Sequence, residues 1–226
     1  MLQRETIEAI LFDLDGTLID TDDQAVEALA RRLRRIRWPH PKRAARRLIM
    51  ASETPGNALV TALDMLGLDA PLRALTDRLR RWRGLLTPAD FRIVVGVDEA
   101  LATLSQQYRL AVVTTRGRVD AEAFLAQYGL ASLFESVVTS ESTWRLKPHP
   151  APVRYAARQL ELAPERCVMV GDTTVDVRSG RRAGAQTVGV LCGFGERGEL
   201  ERAGADLVLE TTADLGSVLG SAGRAA

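Results

Sequence analysis

Lysine is almost missing from this chain. Of its 30 lysine and arginine residues, only Lys42 and Lys147 are lysine, and the other 28 are arginine. Ordinary surface charge is written here as arginine, so each lysine raises the question of what needs a compact, rotatable ammonium instead of a planar fork. Cysteine is scarce too. Cys167 and Cys192 stand in apolar surroundings with no Cys-x-x-Cys spacing, which argues against a disulfide scaffold or a thiolate metal site and for reduced core residues. No run approaches the roughly 18 apolar residues that span a bilayer. The opening "MLQRETIEAI" mixes both charge signs and lacks the apolar stretch of a secretory signal. The formal net charge is only +1, so no polyanion-binding class is favoured. These absences lead to the expectation of a soluble cytoplasmic protein, with no membrane and no nucleic acid among its partners.

What is present is periodic. The 226 residues can bury a substantial core, as one large domain or a domain with an insertion. "IEAILFD" (7–13) is a short apolar run bounded by turn signals, as a buried strand should be. From about 97 the pattern alternates. A helix over 97–107 leads to a strand at 109–114, and one near 119–128 to a strand at 135–139. Helices near 151–161 and 175–183 lead to strands at 167–172 and 186–191. A last strand at 205–210 precedes a Gly/Ala/Ser tail expected to fray. Short apolar strands alternating with amphipathic helices predict an α/β fold with a doubly wound parallel sheet.

Residues 21–88 break that rhythm. "TDDQ" (21–24) has capping-box spacing and no strand follows it, while Pro39, Pro41 and the loop "ASETPGN" (51–57) divide the segment. An all-helical insertion after the first strand is expected, with residues 1–20 and 89–226 forming the core. The run "RRLRRIRWPHPKRAARR" has only Trp38 as an interleaved aromatic and reads as a solvated helix face. His40 is read as a surface residue and His149, in "KPHP", as a loop residue instead of a base. "GFGERG" (193–198) matches a dinucleotide fingerprint in its glycines, yet no βαβ unit of the usual length follows it, so a flexible loop is expected. No Gly-Lys pair and no nucleophile elbow occur.

In open α/β sheets, ligands bind beyond the carboxyl ends of the strands. There the sequence sets Asp13 and Asp15 after the first strand, and Thr114 and Thr115 at the end of the second. Lys147 lies after the third, and Asp172 ends the fourth with Asp176 one helical turn on. Two aspartates one residue apart repel unless hydrogen bonds, a cation or solvent takes up their charge. A cation and a phosphate would balance this set.

"DLDGT", "VVTT", "LKPHP" and "GDTTVD", in this order, resemble the four motifs of the haloacid-dehalogenase-like hydrolases. The helical insertion is similar to the cap of that superfamily's phosphoglycolate-phosphatase-like branch, although Thr115 stands where that branch usually has asparagine. The resemblance implies a Rossmann-like core and a Mg²⁺-dependent phosphatase acting on a small phosphorylated metabolite, as a monomer or homodimer. It implies that Asp13 is the nucleophile and Asp15 the general acid and base, and that Thr114 and Lys147 clamp phosphate. Asp13, Asp172 and the Asp15 backbone carbonyl would hold Mg²⁺, with Asp176 an outer partner of the metal. Cap arginines such as Arg46 or Arg47 would suit a substrate carboxylate, as in phosphoglycolate. A sugar phosphomutase on the same scaffold and a catalytically idle binding protein are the alternatives.

Overall fold

The computed structural model describes residues 2–20, 30–35 and 91–220. The expected capping box at 21–24, His40, the two prolines, Arg46, Arg47 and the 51–57 loop lie outside them. The strands are β1 (Ala9–Phe12), β2 (Arg109–Val113), β3 (Ser136–Val138), β4 (Cys167–Gly171), β5 (Gln186–Val190) and β6 (Leu207–Leu209). All pair in parallel, in the order β3-β2-β1-β4-β5-β6. The helices are α1 (Val97–Leu104), α2 (Arg118–Gln127), α3 (Ala151–Gln159), α4 (Thr174–Ala183), α5 (Arg197–Ala203) and α6 (Leu215–Leu219).

Side chains alternate across a strand, so a strand apolar at every position must be covered on both faces. β1 shows this directly. Ile10 and Phe12 join a core with Leu101 and Leu104 of α1, Phe124 and Leu125 of α2, and Leu215 and Leu219 of α6. Ala9 and Leu11 join a second core with Val153, Ala156 and Ala157 of α3 and Ala183 of α4. The result is three layers, with the sheet between two sets of helices. The second core is rich in alanine, and α4 lies close to the sheet. A Cβ at Gly180 would stand 2.6 Å from the Thr187 methyl and 2.9 Å from the Met169 Cβ.

β1, β2 and β4 are shorter than the expected strands, and each stops just before a polar residue. Asp13, Thr114 and Asp172 are the first residues past β1, β2 and β4. Residues 193–196 are loop, as expected, though 193–195 are buried, and the last two residues of the stretch belong to a helix instead: α5 starts at Arg197, buries Leu200 against Gly189 and ends at Gly204 in the left-handed conformation (φ 96°). Seven residues with one buried apolar anchor are too few to display helical periodicity.

Residues 18–20 and 92–94 lie side by side. The Asp20 N–H donates to the Arg92 carbonyl at 2.7 Å and Val94 N–H to the Leu18 carbonyl at 2.9 Å, with an antiparallel bridge between Ile19 and Ile93. Residues 30–35 are helical, with Ala30 and Leu33 buried three positions apart. Among the described residues no helix is long and apolar enough to cross a membrane.

Candidate active site

In the order β3-β2-β1-β4-β5-β6, successive connections run outward on one side from β1 and on the other side from β4, so the crevice between these two strands is a switch point. Phe12 and Val170 are in register there, and Asp13 N–H donates to the Val170 carbonyl at 2.9 Å. Asp13 and Asp172 therefore emerge side by side. The 13–19 turn is closed by its own backbone: Leu18 and Ile19 N–H both donate to the Leu14 carbonyl, and Gly16 N–H donates to Ile19. Leu14 and Leu18 are buried beneath it, which fixes the two aspartates from below.

Lys147 occupies the centre of this set. Its buried ammonium lies 2.8 Å from Asp13 Oδ1 and 2.6 Å from Asp176 Oδ1, and it donates to the Val113 carbonyl at 2.9 Å. Three donors meet three acceptors from the ends of β1 and β2 and from the first turn of α4. The 139–149 loop that carries it is pinned to α4 by Ser179 Oγ and an Arg182 guanidinium N–H, which donate to the His149 and Pro148 carbonyls. His149 is a loop residue as expected: Nδ1 accepts from Ala151 N–H, and Nε2 faces Arg145. Burial, then Arg145, Arg154 and Arg182, lower its pKa.

Asp176 caps α4. Its Oδ2 accepts from the Thr173 N–H at 3.1 Å and the Thr173 hydroxyl at 2.6 Å, while Oδ1 faces Lys147. Gly171 permits this, because a Cβ there would stand 2.4 Å from the Asp176 Cβ. Thr114 is buried at the end of β2, and its Oγ1 accepts from Arg116 N–H. Thr115 is half-buried beside it. Both cysteines are free, Cys167 being buried.

Two features had no clear sequence signal. The first is a glycine cradle around Asp172. A Cβ at Gly16 or Gly193 would stand 2.3 or 2.1 Å from Asp172 Oδ2, and one at Gly195 would stand 2.1 Å from its carbonyl. The Phe194 N–H donates to Oδ2 at 2.7 Å. The glycines of "GFGERG" therefore serve close approach to a carboxylate. The second is Arg116, whose Nε and Nη2 donate to Asp15 Oδ2 and Oδ1 at 2.7 and 2.5 Å.

Asp13, Asp172 and Asp176 each bring a carboxylate oxygen within 4.8 Å of the others, all three residues being buried. The donors are hard oxygens, as a hard divalent cation requires. The charge also suits a cation. Burial pushes the Asp13 carboxyl up to about 8; Lys147 opposes the rise, and Asp176 and Asp15 add to it. Burial disfavours the charge on Lys147 as well, but Asp13 and Asp176 hold its proton above the usual lysine range. One ammonium is shared between carboxylates that repel each other.

Stability should therefore depend on pH. Asp13 binds a proton in the folded protein that the unfolded chain, with an ordinary value of 3.8, has released above that pH. Its stabilising effect is complete below about 4 and is lost as pH rises through about 8. One proton released on unfolding changes stability by about 1.4 kcal/mol for each pH step of one. The metal-free protein is thus expected to lose on the order of a few kcal/mol between about pH 5 and pH 9. A divalent cation taking the proton's place should flatten the loss. Urea unfolding across that range, in chelator and in magnesium, checks this; parallel curves would mean that no cation binds at these carboxylates.

A family model for haloacid dehalogenase-like hydrolases matches residues 10–190. The chain belongs to that family. Among its relatives, the pyrophosphatase PpaX of Anoxybacillus flavithermus is 31% identical over 96% of this chain and 99% of its own. A plasmid-borne phosphoglycolate phosphatase of Cupriavidus necator is 33% identical, over 93% of this chain and 92% of its own. A solved structure of a putative β-phosphoglucomutase from Thermotoga maritima superposes with a TM-score of 0.69 at 24% identity, covering 96% of this chain and all of that one, a likeness of fold alone. Within the hydrolase, the four stretches singled out from sequence all lie at the carboxyl edge of the sheet. Asp13, Lys147 and Asp176 are in direct contact, Asp172 stands within the same carboxylate cluster, and Asp15 turns to Arg116.

Proposed function

We propose that this hydrolase is a Mg²⁺-dependent phosphomonoesterase acting on a small phosphorylated metabolite through an aspartyl-phosphate. The observation that carries the reading is the Lys147 ammonium seated between Asp13 and Asp176, with Asp15 one turn residue away from Asp13. An ammonium against Oδ1 of Asp13 orients its other oxygen for attack on phosphorus. As the new O–P bond forms, the bond to the leaving oxygen breaks and that oxygen takes a proton from Asp15. Asp15 then accepts a proton from water as water attacks the acyl phosphate, releasing inorganic phosphate and restoring Asp13. Thr114 lies beside this path and would bind a phosphoryl oxygen. Mg²⁺ held by Asp13, Asp172 and the Asp15 carbonyl would neutralise phosphoryl charge. Asp176 would act from the outer shell, since both its oxygens already have donors.

The names of the two curated relatives share one chemical property. Pyrophosphate and phosphoglycolate both expel a leaving group that carries an anion, which supports a substrate of that kind, with phosphoglycolate a specific candidate. Residues 21–88 would form the cap that reads the leaving group, because the sheet-edge residues meet only the phosphoryl group common to all substrates. The linkers paired at Asp20 and Arg92 suit such an insertion. A phosphomutase would use the same four motifs, and water as acceptor separates the two. The test is phosphate release from a panel of phosphorylated metabolites, with and without Mg²⁺ and with no bisphosphate activator. Release that requires Mg²⁺ supports the phosphatase, and turnover only with an activator would support the mutase. A variant altered at 51–57, run on the same panel, should lose the best metabolite far more than an aryl phosphate.

A further inference from the structure

We propose that Arg116 recognises a second anionic group on the leaving portion of the substrate, giving up Asp15 for that group as substrate binds. The inference rests on the phosphatase reading. Arg116 and Asp15 form a two-pronged pair at 2.7 and 2.5 Å whose side chains retain 24% and 25% exposure, so a ligand can reach both. Among the described residues no other carboxylate stands within ion-pair distance of Arg116, and Asp13 is committed to Lys147. The guanidinium carbon lies over the Phe91 ring, 5.6 Å from its centroid, and the Arg116 backbone N–H is tied to Thr114 Oγ1. Arg116 is therefore rooted next to Thr114 and backed by an aromatic ring.

Both Asp15 oxygens point at the fork. To serve a leaving oxygen, one of them must turn away, and the guanidinium, about three-quarters buried, then loses at least one of its two bonds to Asp15, which is costly. A carboxylate or phosphoryl group carried next to the leaving oxygen replaces what is lost, because its oxygen spacing matches the fork. A leaving group without an anion offers no replacement. The substrate class that follows is a phosphate ester or anhydride whose leaving group bears an anion one or two bonds from the scissile oxygen.

The test compares 2-carboxyethylphosphonate with ethylphosphonate, two unreactive probes that differ only in the carboxylate, titrated by calorimetry into the Mg²⁺-loaded full chain. Wild type should bind the carboxylated probe about tenfold or more tighter, the scale of a charge-assisted pair. In Arg116→Gln the gap should close, and in Arg116→Lys it should be partly kept, since the charge remains without the fork. Kinetically, Arg116→Gln should raise KM for phosphoglycolate or for pyrophosphate by far more than it raises KM for p-nitrophenyl phosphate. A rise for only one of the two anionic substrates assigns the fork to carboxylate or phosphoryl. Equal losses on all esters, or an unchanged gap between the probes in the glutamine variant, would overturn the proposal. Failure of wild type to release phosphate from any ester would defeat the phosphatase reading instead, and the phosphonate gap would still decide Arg116.

Discussion

Asp13→Asn should abolish turnover while making the metal-free protein no less stable at pH 8. The amide is nearly isosteric with the carboxylate but too poor a nucleophile to form the phosphoenzyme. A loss of at least ~10³ in kcat is expected, the scale on which removing a nucleophile leaves only positioning and charge stabilisation. The second half follows from electrostatics. Burial pushes the Asp13 carboxyl up to about 8, so a neutral group at this position removes a charge that the fold resists. Lys147 keeps Asp176 and the Val113 carbonyl as partners. The variant should therefore lose most of the pH dependence of stability between pH 5 and 9 that wild type shows in chelator. Trapping of labelled phosphoenzyme, together with urea unfolding at both ends of that range, checks the two halves separately. Activity within tenfold of wild type would remove Asp13 from the role of nucleophile.

The architecture was legible wherever periodicity carried it. Strands apolar at every position could only be central strands of a parallel sheet, and polar residues ending them could only lie at its carboxyl edge. Asp13, Thr114 and Asp172 are found there as the first residues past their strands. Lys147 was marked by composition, since a chain that writes charge as arginine placed a lysine where three acceptors converge on a tetrahedral ammonium. What was not legible depends on approach across space. Nothing local distinguishes Gly193 and Gly195 from flexible-loop glycines, because the atoms that require them belong to Asp172, some twenty residues earlier. Arg116 was hidden by the same composition that exposed Lys147. Among 28 arginines, one that pairs with Asp15 carries no mark in the sequence. The α5 helix was missed because one anchor, Leu200, does not make a period.

Lys147→Arg tests whether charge alone suffices at the centre of the site. The substitution keeps the cation and agrees with the usage of the rest of the chain, yet kcat/KM is expected to fall about 10²-fold or more. The three acceptors are Asp13 Oδ1, Asp176 Oδ1 and the Val113 carbonyl, all within 2.9 Å of one nitrogen. A planar guanidinium presents its donors from three separate nitrogens spread over a wider fork, so it cannot reach all three acceptors from one point. It is also larger, and the side chain it replaces is only 3% exposed. Forcing it in should displace the 139–149 loop from α4 and cost roughly 1–3 kcal/mol of stability through overpacking. If the fork satisfies Asp176 and abandons Asp13, the nucleophile loses its orientation and kcat falls with KM little changed. If it satisfies Asp13 and abandons Asp176, the cap of α4 weakens and the stability loss dominates. A variant with near-normal kcat/KM and unchanged unfolding midpoint would show that only a positive charge is needed, and the compact ammonium would have no special part in this site.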